Sequence, residues 1–168
     1  MSAVLAVATA GGRPLGAQKP ERHHEVTIPG TDIQLKPGWQ LLIHDRCRFA
    51  VPESWQQNAD AALAMAPDGS SLSIRTLRVM NWSAHKHDIR AAFGPVRVVH
   101  EDSDRRLWLE IGDKWRVQHY IDVPNGLNVC SVLLEIHSGP TLDAEDLAQR
   151  IADSVGPAPD NWPPRSLK

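Results

Sequence analysis

Trp115 to His137 reads WRVQHYIDVPNGLNVCSVLLEIH, and the fold turns on this stretch. Trp115, Val117, His119 and Ile121 fall on alternate positions, as do Cys130, Val132, Leu134 and Ile136, so each half reads as a strand with one apolar face. Pro124-Asn125-Gly126 lies between them and is a strong hairpin signal, because Asn and Gly tolerate the positive φ of tight antiparallel turns. Two antiparallel strands, Trp115 to Val123 and Leu127 to His137, are therefore expected.

The same reasoning extends in both directions. Upstream, Val96 to His100 and Leu107 to Ile111 read as strands, with Asp102-Ser103-Asp104 and Gly112-Asp113-Lys114 as turns. A helix is expected from Ser83 to Phe93, started by Asn81 or Ser83 and ended by Gly94-Pro95. Nearer the N-terminus, Lys36-Pro37-Gly38 turns into a strand ending at Ile43. Cys47 to Val51 follows and is stopped by Pro52-Glu53-Ser54-Trp55. Ala61 to Ala66 and Leu72 to Val79 flank the turn Pro67-Asp68-Gly69-Ser70. Downstream, Asp143 to Val155 stacks Leu147, Ile151 and Val155 on one helical face, and Gly156-Pro157 ends it. The order predicts an α+β domain: an antiparallel sheet of about six strands flanked by two main helices, an α/β/α sandwich. It occupies residues 25–157 as a single domain, followed by an irregular tail over 158–168.

Composition narrows the function. The chain has 168 residues, 42% hydrophobic and 23% charged, with a formal net charge of −2. This is an ordinary globular composition. Lys and Arg are scattered without a basic stripe, which argues against nucleic acid as a partner. No apolar run reaches the ~18–20 residues of a transmembrane span. Ala3 to Ala10 is a short apolar run, followed by Gly11-Gly12 and small residues up to Ala17. It reads as a secretory signal cleaved after Ala17, although positive residues ahead of the run are lacking. The alternative is a flexible Ala/Gly-rich tail, and in either case residues 1–24 stand outside the domain. Export to the periplasm or envelope is the first expectation, the cytoplasm the second.

Phe49-Ala50-Val51-Pro52-Glu53-Ser54-Trp55 resembles the opening strand of PsbP-like domains, an apolar strand ending in Pro-x-x-Trp. The Leu72 to Val79 strand and the helix from Ala144-Glu145-Asp146-Leu147 to Val155 fall where that fold places such elements. The resemblance covers roughly residues 39–156, and element order carries most of it. It implies a fold shared by an extrinsic photosystem II subunit, a Ran-binding release factor, DcrB-like bacterial envelope proteins and secretion-effector chaperones. These share architecture more than activity, so the resemblance transfers no functional residue.

Cys47 and Cys130 each point towards apolar neighbours on their strands. Two buried thiols are the default; a disulfide follows if the strands are adjacent and the compartment oxidising. Neither CxxC spacing nor a hydrolase, phosphate-loop or zinc-protease motif occurs. His85 and His87 would diverge by about 200° on a helix and could not share an ion. His100-Glu101-Asp102-Ser103-Asp104 reads as a solvated acidic turn rather than a cation site. His119 reads as a hydrogen-bonded core histidine. No metal or cofactor is expected.

Tryptophan is the unusual feature: six Trp stand beside one Tyr and two Phe. Trp108 alternates away from Leu107, Leu109 and Ile111. A face carrying Trp108, Arg116, Gln118, Tyr120 and, in register, Leu133 would have the mixed aromatic and polar character of a binding patch. A helix covering that face is the plainer alternative. The sequence thus predicts a non-enzymatic accessory or binding protein of the bacterial envelope, holding an unknown protein or small molecule on its sheet face or in a cleft. The alternatives are a small metal-dependent or hydrolytic enzyme using His100, Glu101, His119 or Glu135, and a cytosolic effector chaperone.

Overall fold

The computed structural model describes residues 26–27, 34–58, 63–112, 117–137 and 141–159. The chain order is β1 (Val26–Thr27), β2 (Gln34–Leu35), β3 (Trp39–His44), β4 (Cys47–Pro52), β5 (Gln56–Asn58), β6 (Leu63–Met65) and β7 (Ser71–Arg78). Then come α1 (Trp82–Phe93), β8 (Arg97–Glu101), β9 (Leu107–Gly112), β10 (Val117–Asn125), β11 (Asn128–Ile136), α2 (Leu142–Ser154) and β12 (Gly156–Pro157). The architecture is α+β, as expected. The main sheet holds seven strands rather than about six, in the order β5-β6-β7-β11-β10-β9-β8, and every pairing in it is antiparallel. A separate three-stranded sheet, β12-β4-β3, was not expected. It forms because Gly156-Pro157, beyond ending α2, runs on antiparallel to Arg48 and Cys47.

Local chemistry sets the boundaries. The Asn81 side chain accepts from the Ala84 amide at 3.0 Å and starts α1, while Thr141 does the same for α2 through Ala144 at 3.1 Å. The central hairpin pairs Asn125 with Asn128, so its turn is Gly126-Leu127, with Gly126 at φ +63°. The turn sits one residue later than Asn125-Gly126 suggested.

Register decides which residues share a face. Trp108 lies opposite Ile121, His119 opposite Leu134, and Val132 opposite Ile74. That face is covered by α2, through Ala144, Ala148, Ile151 and Ala152, and by Phe49, Val51 and Leu42 of the small sheet. On the other face Leu107, Leu109 and Tyr120 form a smaller cluster beneath Trp82 and Ile89 of α1. The two helices therefore lie on opposite faces of the main sheet. Cys47 of β4 and Cys130 of β11 are joined by a disulfide, which replaces the default of two free thiols and staples the small sheet to the centre of the large one.

Candidate functional site

The patch expected around Trp108 does not form. Tyr120 lies opposite Leu109 and Leu133, whereas Trp108 lies opposite Ile121, so Trp108 is on the α2 face and Tyr120 and Leu133 on the α1 face. Both aromatics are covered, Trp108 at 4% exposure and Tyr120 at 2%. Arg116 lies outside the described residues. Alternation within each strand was right; the phase between them depends on the connection over 113–116, which the pattern does not fix. Tyr120 instead accepts a hydrogen bond from Ser131 at 3.0 Å and packs on Phe93. Burial, with the nearby Asp122 charge adding to it, pushes its hydroxyl well above the ordinary range.

The four residues of the enzymatic alternative are likewise dispersed. His100 is cross-strand from Trp108 and Glu101 from Leu107, which places them on opposite faces. Glu101 binds Lys86 and Arg90 of α1, and His100 binds Asp102. Glu135 is opposite Gln118 and holds Gln118 and His137, while His119 points to the other face. Among the described residues, no group of three or more His, Cys, Asp or Glu is placed to hold a metal ion.

His119 does sit in a notch of about 170 Å³ with Trp108, Glu110, Arg97 and Glu145. The Trp108 indole N–H donates to His119 Nδ1 at 3.1 Å, so in the neutral ring the proton is on Nε2. Burial holds the His119 pKa below the ordinary histidine value, against the pull of Glu110. Arg97 grips Glu110 and keeps that carboxyl below its usual range. Within the notch, His119 is thus engaged by Trp108 and Glu110 by Arg97.

A larger cleft of about 310 Å³ opens between β2, the outer face of β3–β4 and the last turns of α2. Trp39, Lys36, Arg48, Arg150, Asp153 and Ser154 are among its lining residues. Arg48 alternates with Cys47 and Phe49, which face the core, and so points outward into the cleft. It stands directly opposite Gly156 of β12. A Cβ added to Gly156 would meet Arg48 Nε and Nη2, each at 3.2 Å. The missing side chain is what gives the guanidinium its seat.

Lys36, Arg48, Arg150 and Asp153 are the charged residues that line the cleft among the described residues. Arg150 is paired with Asp146 at 2.6 Å, and Asp153 with Arg106 at 2.9 Å. Arg150, with a smaller pull from Lys36, holds the Asp146 carboxyl below its usual range. Ser154 Oγ donates to the Ile151 carbonyl at 2.6 Å and accepts from the Ala50 amide at 2.7 Å. That hydroxyl ties α2 to β4. None of these residues stood out in the sequence. Lys36 read only as a turn residue, Arg48 as one cation among many, and Gly156 as a helix stop; one usable signal was Trp39 beside a turn.

No protein-family model matches the sequence, and no curated protein matches it. Among solved structures the chain is similar to the solution structure of cyanobacterial PsbP (CyanoP) from Synechocystis sp. PCC 6803. The two are 14% identical, the match covers 79% of this chain and 98% of that one, and the TM-score is 0.48.

Proposed function

We propose that this chain is a non-enzymatic accessory protein of the bacterial envelope that holds its partner in the cleft between β2–β4 and α2. The lining of that cleft carries the reading. An indole wall and several cationic side chains grip a ligand by stacking and charge, and the cleft hydroxyl, Ser154, is engaged on both sides by backbone. Envelope placement rests on the disulfide, since such bonds persist in the periplasm and are rare in the cytosol. It also rests on the signal-like run ahead of Ala17.

Intact mass of the natively expressed protein, with and without alkylation, tests the compartment. Loss of about seventeen residues, with alkylation only after reduction, is the expected result. A full-length chain with two free thiols would move the protein to the cytosol and bring the effector-chaperone reading forward. Trp39→Ala tests the cleft: a folded variant that captures the partner as well as wild type would place the holding site elsewhere.

A further inference from the structure

We infer that the notch between β8–β10 and α2 is a second binding site, taking a small organic amine that carries an oxygen acceptor, an amino alcohol being the simplest case. His119 supplies the hydrogen bond and Glu145 the charge. The inference goes beyond the proposed function. Notch and cleft share no lining residue, so each stands independently of the other.

His119 is the centre of the site. It is 4% exposed, and the Trp108 indole, which can only donate, occupies its Nδ1. The proton of the neutral ring is therefore on Nε2. A second proton would set two N–H groups against each other at Nδ1, and burial already holds the His119 pKa below the ordinary value. The ring thus stays neutral at pH 7. Its Nε2–H has no hydrogen-bond partner among the described residues. Nor is it one of the polar atoms sealed in the interior without a partner; it opens on the notch that His119 lines. A donor held this way costs free energy until an acceptor atom meets it. The same proton excludes two other roles, because Nε2 has no lone pair for a metal ion or for a proton taken from a substrate.

Charge selects the other half of the ligand. Among the described residues, the charged side chains lining the notch are Arg97, Glu110 and Glu145. Arg97 spends Nε and Nη2 on the two oxygens of Glu110, and it feels Glu145 only through its charge. One cation against two carboxylates leaves a net charge of −1 beside a neutral histidine, which favours a cation over an anion. Trp108, Val99 and Ala148 offer apolar surface to the carbon atoms between the two polar groups. At about 170 Å³ the space is close to the roughly 150 Å³ of a cavity that holds benzene, so the ligand is compact.

The test is a titration of the full chain at pH 7 and constant ionic strength with ethanolamine, ethylamine and ethylene glycol. It is followed by NMR at the Trp108 indole N–H, which is bonded to His119. Ethanolamine should shift that signal saturably. Ethylamine, which lacks the oxygen, should bind about fivefold more weakly, as loss of one hydrogen bond does. Ethylene glycol, which lacks the charge, should also bind more weakly. Glu145→Gln, at an exposed position on α2, should keep the fold and weaken ethanolamine about two- to fivefold while leaving ethylene glycol unchanged.

Ethylamine binding as tightly as ethanolamine would overturn the role of His119 and with it the inference. Ethanolamine affinity unchanged in folded Glu145→Gln would overturn it through the charge. No saturable shift with ethanolamine would show that the notch takes up solvent only. Each of these outcomes leaves the proposed use of the cleft untouched, since Trp39→Ala tests that separately.

Discussion

Asp45 and Arg46 turn the β3–β4 hairpin with φ of +47° and +65°, values that side chains other than glycine adopt at a cost. The tip is held in that shape from outside. The Asp45 carbonyl accepts from Thr76 Oγ1 at 2.9 Å, and the Arg46 carbonyl accepts from Asn125 Nδ2 at 3.2 Å and from the Ala158 amide at 2.8 Å. Arg46→Gly should therefore stabilise the fold by about 0.5–1 kcal/mol, read as a higher urea midpoint at unchanged slope. His119 makes a pH-dependent contribution. Its folded pKa lies below the ordinary 6.5 because of burial. Above pH 6.5 both states leave the ring neutral and this contribution is complete. As pH falls through 6.5, the unfolded chain takes up a proton that the folded one resists, and stability declines until the folded pKa is passed. His119→Gln should flatten that part of the stability-against-pH curve. An identical curve in the variant would show that His119 does not titrate differently in the two states.

The two helices are fixed to the sheet by different physics. α2 buries Ala144, Ala148, Ile151 and Ala152 against the main core, whereas Lys86 is the buried residue of α1. α1 adds buried polar contacts to the packing of Trp82, Ile89 and Phe93. Lys86 Nζ donates to the Asp102 carbonyl at 2.9 Å and pairs with Glu101. His85 Nε2 meets the fully buried Asp122 carboxylate at 2.6 Å. Apolar burial is broadly additive and tolerant, while a buried carboxylate that loses a hydrogen-bond partner keeps its desolvation cost. Removing His85 takes one hydrogen-bond partner from the buried Asp122 carboxylate beneath the helix. His85→Ala should cost about 1–3 kcal/mol and accelerate amide exchange in α1 well before α2. Equal acceleration in both helices would mean that the pair supports the whole fold rather than one element.

At the level of the molecule, the disulfide joins β4 of the three-stranded sheet to β11 at the centre of the seven-stranded one, across 83 residues of sequence. It also bears on the cleft, because Cys47 precedes Arg48 and Cys130 Sγ lies 3.5 Å from the Gly156 carbonyl oxygen. Both residues that shape the guanidinium seat are thus set by the cross-link between sheets. In the chain-entropy account, closing a loop of this length contributes about 4–5 kcal/mol. The Cys47→Ala/Cys130→Ala variant should lose that much in urea unfolding. A loss below about 1 kcal/mol would show that the sheets hold one another without the cross-link.

The sequence by itself determined both helices and the longer strands, but not the short strands β1, β2, β5 and β12. Alternation in Leu107–Ile111 and Val117–Val123, the stops at Gly94-Pro95 and Gly156-Pro157, and the cap at Asn81 act within a few residues, so a linear pattern contains them. It also showed that Cys47 and Cys130 each sit on an apolar strand face, but not that the two strands meet. Tertiary structure alone decided what depends on distant partners: the phase of β9 against β10, which put Trp108 and Tyr120 on opposite faces, and the pairing of Gly156 with Arg48. The cleft belongs to that second class. Lys36, Arg48 and Arg150 span more than a hundred positions and share no periodicity. They converge because β4 carries Arg48 outward, β12 doubles back beside it, and α2 ends over both. Local patterns record which way a side chain leaves its own backbone; which other side chains it meets is set by packing between elements.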